Sequence, residues 1–208
     1  SVTYANRTAP VTVAIDAFLD IEFVTGSSLV DTLLGTPAGD AFVVTAADAG
    51  TVGGIEFTSF ENLSGLAGDD SFELNADVSG SIDGGAGTGD LITGRSGAQN
   101  TFIVNAENGG TVNGTSFENV ESLTGGAAAD TFTFDAALSG TASGAGGSAE
   151  LSNPAPSSAM PASDTGQNDG SQAGRSLYSM SLRPDNHNVT SGPRRRSQTL
   201  RGGSSGEH

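Results

Sequence analysis

Apolar and polar residues alternate in short bursts along the first three-quarters of the chain, and turn residues punctuate the bursts at a regular interval. Phe72 and Leu74 flank Glu73, and Phe132 and Phe134 flank Thr133, the period of two expected of strands with one buried face. Turn residues fall at Asp31, Gly50, Asp70, Asp90, Gly110, Asp130 and Glu150, and short apolar runs follow most of them, beginning at Leu33, Val52, Phe72, Ile92, Val112 and Phe132. Between these lie a second set of runs: Phe42-Val43-Val44, Phe60 to Leu63, Val78 to Ile82, Phe102-Ile103-Val104 and Val120 to Leu123. No apolar pattern recurs at helical spacing. Two short strands and two turns in about every 20 residues is the unit this predicts.

Strands of three to five residues cannot bury a core alone. Coiled so that each unit hydrogen-bonds in parallel to the next, they can, which predicts an all-β fold: a right-handed parallel β-solenoid, a β-roll or β-helix of six to seven rungs. In it Leu33, Val52, Phe72, Ile92, Val112 and Phe132 stack as one interior column. Residues 2–16 alternate well enough for a hairpin-like or first-rung strand pair. An internal repeat supports the solenoid: residues 42–91 and 102–151 align without a gap and share 20 of 50 positions, Phe42/Phe102, Phe57/Phe117, Glu61/Glu121, Asp70/Asp130 and Phe72/Phe132 among them.

Composition divides the chain. All ten Phe precede residue 151, and five of the seven Pro follow it. Residues 1–150 hold 20 acids against Arg7 and Arg95, a net of 2 − 20 = −18, whereas 151–208 hold six Arg and four acids, a net of +2. The expectation is a folded domain over 1–150 and a low-complexity, disordered tail over 151–208. So acidic a body repels nucleic acid, and its self-repulsion calls for neutralising cations. No stretch approaches the ~18 apolar residues of a membrane span.

The turns carry the candidate chemistry. Gly65-Leu66-Ala67-Gly68-Asp69-Asp70-Ser71-Phe72-Glu73 fits the nine-residue pattern G-G-x-G-x-D-x-U-x except at Leu66, and Gly125-Gly126-Ala127-Ala128-Ala129-Asp130-Thr131-Phe132-Thr133 fits except at Ala128. Gly84-Gly85-Ala86-Gly87-Thr88-Gly89-Asp90-Leu91-Ile92 fits with one extra residue before Asp90. In these stretches the chain resembles, in degenerate form, the RTX or haemolysin-type calcium-binding repeat family. Calcium takes six to eight oxygens, and glycines let backbone carbonyls turn inward beside an Asp carboxylate.

The resemblance implies calcium shared between stacked turns. One site is expected around Gly65, Gly68, Asp69, Asp70, Gly84, Gly87 and Asp90, with Asp83 nearby, and a second around Gly125, Gly126 and Asp130. Asp31 and Asp130 are expected to neighbour Asp48 and Asn108. Affinity is expected in the ~10⁻⁴–10⁻³ M range of extracellular modules. The resemblance further implies a structural or adhesive segment of a large secreted or cell-surface bacterial protein, with calcium and host or surface glycans or proteins as partners.

Two alternatives stand beside it: a metal-independent adhesin-type β-helix, and a carbohydrate-processing β-helix. Catalysis has little support. The only histidines, His187 and His208, lie in the tail, so the body offers no Ser–His or Cys–His pair, and a pair of carboxylates is the one catalytic arrangement left open. A non-enzyme is expected.

Overall fold

The structure is a computed structural model that describes residues 1–17, 20–146 and 149–152. Its elements in chain order are β1 (Val2–Thr3), β2 (Thr12–Ala14), a short 3-10 helix (Ile15–Ala17), β3 (Phe23–Thr25), β4 (Thr32–Leu34), β5 (Ala41–Ala46), β6 (Ala49–Val52), β7 (Ile55–Thr58), β8 (Asn62–Ser64) and β9 (Ser71–Leu74). There follow β10 (Ser81–Asp83), β11 (Leu91–Thr93), β12 (Thr101–Ala106), β13 (Gly109–Val112), β14 (Thr115–Glu118), β15 (Ser122–Thr124), β16 (Asp130–Phe134), β17 (Ala142–Ser143) and β18 (Ala149–Ser152). The tail expected over 151–208 lies outside the described residues except for 151–152, which close β18. Among the described residues no helix is long and apolar enough to cross a membrane.

The strands form two nine-stranded sheets, ordered β1-β3-β7-β6-β5-β9-β11-β15-β17 and β2-β4-β8-β10-β14-β13-β12-β16-β18. From β1 to β5, from β7 to β12 and from β14 to β18, each successive strand falls in the opposite sheet. Where the chain passes simply through both sheets, the parallel partner lies about 20 residues on: Val13 pairs with Leu33, and Phe72 with Ile92. This is the interval that the turn residues predict.

It does not hold throughout. β5, β6 and β7 form an antiparallel meander within the first sheet, and β12, β13 and β14 form another within the second. Each insertion lengthens the interval, so Leu33 pairs with Leu63, Phe42 with Phe72 and Phe102 with Phe132, all 30 residues apart. The expected purely parallel coil of uniform rungs is therefore corrected to two mixed, mostly parallel sheets. Both meanders reverse at a two-residue turn of positive φ, Gly53-Gly54 (58° and 83°) and Asn113-Gly114 (51° and 98°), the geometry of a tight hairpin.

The meanders also split the predicted column. In the first sheet Val52, Phe42, Phe72, Ile92 and Leu123 stand in register; Val13, Leu33, Leu63, Ile82 and Phe117 do so in the second, as do Val112, Phe102 and Phe132. Leu33, Val112 and Phe132 thus face Val52, Phe72 and Ile92 from the other layer instead of stacking with them. All are at most 4% exposed and belong to one hydrophobic cluster, so the two sheets share a single core.

Phe42 stacks on Phe72 (centroids 4.9 Å, planes 12° apart) and Phe102 on Phe132 (4.6 Å, 4°), each pair adding about 0.5–1.5 kcal/mol beyond its burial. The 60-residue repeat relates these pairs across the layers. Between β5 and β12 the chain crosses at β7–β8, β8–β9, β9–β10, β10–β11 and β11–β12, an odd number, so the second copy begins in the opposite sheet. At the N-terminus β1 and β2 lie in different sheets, each paired in parallel, and form a first rung and not a hairpin.

Candidate functional site

At most places where the chain crosses between the sheets, an acid or amide side chain sits at the entry to the next strand. Asp31, Asp40, Glu61, Asp70, Asp90, Asn100 and Glu121 each precede a strand by one residue, and Asp130 opens β16. Short turns leave strand-entry amides without a ladder partner, and a carboxylate from the adjacent rung supplies one. Along one edge Asp40 N–H donates to Asp70 Oδ1 at 2.7 Å, Asp70 N–H to Asp90 Oδ1 at 2.6 Å, and Asp90 N–H to Glu121 Oε2 at 3.0 Å. Along the other, Val11 N–H donates to Asp31 Oδ1 and Asp31 N–H to Glu61 Oε2, both at 2.7 Å, and Asn100 N–H donates to Asp130 Oδ1 at 2.8 Å.

The second carboxylate oxygen distinguishes the turns. In three of them it caps its own turn, accepting the amide four residues back: Ser27 to Asp31, Thr36 to Asp40 (2.6 Å) and Gly126 to Asp130 (2.9 Å). The turns 65–70 and 84–90 instead spend their amides on each other. Ala67 and Ala86 form a parallel bridge, with Ala86 N–H donating to the Leu66 carbonyl at 2.8 Å and Gly68 N–H to the Ala86 carbonyl at 3.1 Å. Left-handed backbone at Leu66 (φ 74°), Gly68 (103°) and Gly85 (97°) makes this pairing possible.

The consequence is two orphaned oxygens. Asp70 and Asp90 are 1% and 0% exposed, and among the described residues their Oδ2 atoms are the buried side-chain oxygens with no hydrogen-bond partner. Buried polar atoms are almost always paired, so an exception points to a missing partner. The glycines shape what lies beside them. A Cβ on Gly65 would collide with Asp70 Oδ2 and come within 2.6 Å of the Gly84 carbonyl oxygen. One on Gly87 would collide with the Gly68 carbonyl oxygen and lie 2.8 Å from Asp90 Oδ2. Each orphaned oxygen and a carbonyl of the neighbouring turn therefore close in on a glycine Cα, with no room there for a methyl group.

Electrostatics mark the same edge. Burial above all, with the charges of Asp90, Asp40 and Asp69, pushes the Asp70 carboxyl up from 3.8 to about 6 against the opposing pull of the Asp40 amide. Burial likewise raises Asp90, with the charges of Asp69 and Asp83 adding to it and the Asp70 amide and the Glu121 carboxyl opposing. Burial also raises Glu121, with the Asp90 carboxyl adding to it and the Asp90 amide opposing. Among the described residues the one side-chain ion pair is Arg95 with Asp77, so no protein cation neutralises the row.

Of the residues expected to form the first site, the structure brings Gly65, Gly68, Asp70, Gly84, Gly87 and Asp90 together across two bridged turns. Asp69 is exposed on the rim; its Oδ1 accepts the Thr88 amide at 3.3 Å. Asp83 accepts the Asn119 side-chain amide at 2.8 Å. Gly125, Gly126 and Asp130 lie on the opposite edge, where both Asp130 oxygens take protein donors: Asn100 N–H and Nδ2–H at 2.8 Å each, and Gly126 N–H.

Asp31 and Asp130 do not neighbour Asp48 and Asn108; the meanders displace those two, which cap Ser79 (2.7 Å) and Ser139 (2.8 Å) instead. The actual neighbours are Glu61 and Asn100. Asp40 and Glu121, absent from the expected site, extend its row at both ends. The shared Glu61/Glu121 position was the signal for half of this, and the 30-residue interval hid the rest. Among the described residues no cluster of three or more His, Cys, Asp or Glu forms a ready metal centre, so any cation here would draw on backbone carbonyls. Comparison with protein-family models, curated proteins and solved structures finds no match for this chain.

Proposed function

We propose that the chain is a calcium-stiffened β-solenoid segment with a structural or adhesive role, the ion sitting between the turns 65–70 and 84–90. The orphaned Oδ2 atoms of Asp70 and Asp90 carry this reading, because a divalent cation is the partner that two buried, unneutralised carboxylates on one edge lack. Asp70 and Asp90 would hold it together with the carbonyl oxygens of Gly68 and Gly84, and water would complete the six to eight oxygens calcium takes. A hard cation with flexible coordination suits this all-oxygen set; magnesium, which demands near-octahedral geometry, suits it less. The chemistry supplied is charge neutralisation, and the gain is a rigid edge. We place the segment on an extracellular or cell-surface bacterial protein, with glycans or proteins as partners of its outer surfaces and no catalytic task.

Calorimetric titration with calcium and thermal melting in calcium against EDTA test this. Millimolar calcium should raise the melting temperature and magnesium should do so less; identical melts in calcium and EDTA would remove the proposal. One observation favours a metal-independent adhesin as the second reading: the turns at Asp31, Asp40 and Asp130 cap themselves with amides and need no ion.

A further inference from the structure

We propose that Leu66 sets the ion affinity of this edge by keeping the turn 65–70 open until a cation closes it; the inference rests on the calcium reading above. Leu66 and Gly85 occupy equivalent places in the two bridged turns, Gly65-Leu66-Ala67-Gly68 against Gly84-Gly85-Ala86-Gly87. Both are left-handed, at φ 74° and 97°. Glycine takes this conformation freely, whereas the Cβ of an L-residue crowds its own carbonyl. Among the described residues the other non-glycine positions with positive φ are Asp20, Asp48, Ser59, Asn108, Asn113, Asn119 and Ala145. Asp and Asn relieve such strain through local hydrogen bonds, whereas Ser59, Ala145 and Leu66 carry the Cβ penalty. Leu66 is the one large, branched residue held there.

Little in the protein repays that strain. The Leu66 side chain is 36% exposed, so its burial returns little. Its carbonyl is held by the Ala86 amide at 2.8 Å, within a bridge that comprises the single residue pair Ala67 and Ala86. Closing the bridge also brings the two turns together beside Asp70 and Asp90, which the β9–β11 ladder aligns and whose orphaned oxygens repel one another. Strained backbone persists only where its surroundings over-determine it. With a cation between the carboxylates the repulsion becomes attraction, and that attraction holds Leu66 in the left-handed region. Without it, Leu66 relaxes and the bridge opens. Apparent affinity is then the intrinsic affinity scaled by the fraction of turns already closed.

The experiment compares the wild type with Leu66→Gly and Leu66→Ala, by calorimetric calcium titration and by hydrogen exchange at the amides of Gly68 and Ala86. Leu66→Gly should bind calcium on the order of fivefold more tightly, since glycine removes the left-handed penalty while adding some freedom to the open turn. Leu66→Ala, which keeps the Cβ, should stay near the wild type. In the wild type both amides should gain protection when calcium is added; in Leu66→Gly they should be protected already. Calcium binding of equal strength in the wild type and Leu66→Gly overturns the role of Leu66 alone, as does full protection of both amides in the metal-free wild type. A wild type that takes up no calcium overturns the ion reading and this inference with it. The exchange measurement on the wild type needs no variant, so a poorly folding substitution does not shelter the idea.

Discussion

The amide of Asp70 donates to Oδ1 of Asp90, 20 residues further along the chain, at 2.6 Å. Asp90 in turn donates its own amide to Glu121, so each acid caps the rung before it and is oriented by the rung after it. One oxygen of each carboxylate thus has a structural task. At Asp70 and Asp90 the second oxygen accepts no hydrogen bond among the described residues, and those two atoms are where a cation, a proton or a mutation will be felt.

Asp90→Asn separates the two tasks. The amide oxygen can still accept from Asp70 N–H, while the Nδ2 group replaces the orphaned oxygen beside the Gly68 carbonyl and gives it a donor. Removing a buried charge should stabilise the metal-free protein by about 1–2 kcal/mol, seen in calorimetry as a rise of roughly 2–8 °C. The further rise on adding calcium should vanish. A variant that keeps the wild-type calcium increment would show that the ion, if there is one, sits elsewhere.

Metal-free stability should fall as pH rises from about 4 to 7. The Asp70 carboxyl is raised in the folded protein from 3.8 to about 6, so between those values the folded state holds more protons than the unfolded one. Its contribution is complete below the unfolded value and is lost as pH climbs through the folded one. The gap corresponds to roughly 3 kcal/mol at 1.36 kcal/mol per pH unit, and Asp90 and Glu121 shift in the same direction. Denaturant titrations at several pH values in EDTA measure this. Calcium should flatten the slope by taking the proton's place; a metal-free stability that rises from pH 4 to 7 would contradict the buried, unneutralised row.

Gly65→Ala introduces a Cβ that meets Asp70 Oδ2 and the Gly84 carbonyl, both held in place by the strand ladders they adjoin. The expected loss is about 1–3 kcal/mol, with the calcium response reduced or abolished. Gly97→Ala is the control: a Cβ there meets nothing within 4 Å, so the melting temperature should move little. Equal effects at the two positions would mean that the space beside Asp70 is not as confined as the structure has it.

How much of this could be read from the residues follows from where the meanders lie. Asp70 and Asp90 belong together because no meander separates β9 from β11, so the plain 20-residue interval carries straight to the site. Asp40 and Asp70 are 30 residues apart, and Asp90 and Glu121 31, because an antiparallel excursion intervenes in each case. The local signal for those excursions was present in Gly53-Gly54 and Asn113-Gly114, each between strand-forming residues. The strong 60-residue identity masked it by suggesting three uniform rungs. Nothing in the residues could show that Asp130 would be saturated by Asn100. That depends on Asn100 lying opposite it across a rung, which only the register of β12 against β16 establishes.

Asp130→Ala tests the difference between the two edges. Asp130 satisfies three buried donors, the backbone and side-chain amides of Asn100 and the amide of Gly126, and Asn100 is itself 0% exposed. Loss of the Asp130 carboxylate orphans the backbone amides of Asn100 and Gly126, while the Asn100 side-chain amide keeps the Arg95 and Ala98 carbonyls. The cost should be roughly 2–5 kcal/mol, a fall on the order of 5–15 °C. Because no oxygen of Asp130 is left over for an ion, the fall should be the same in calcium and in EDTA, unlike that of any change at Asp90. A loss confined to the calcium-loaded protein would instead make Gly125, Gly126 and Asp130 a second cation site, with the hydrogen bonds from Asn100 giving way to metal coordination when calcium is bound.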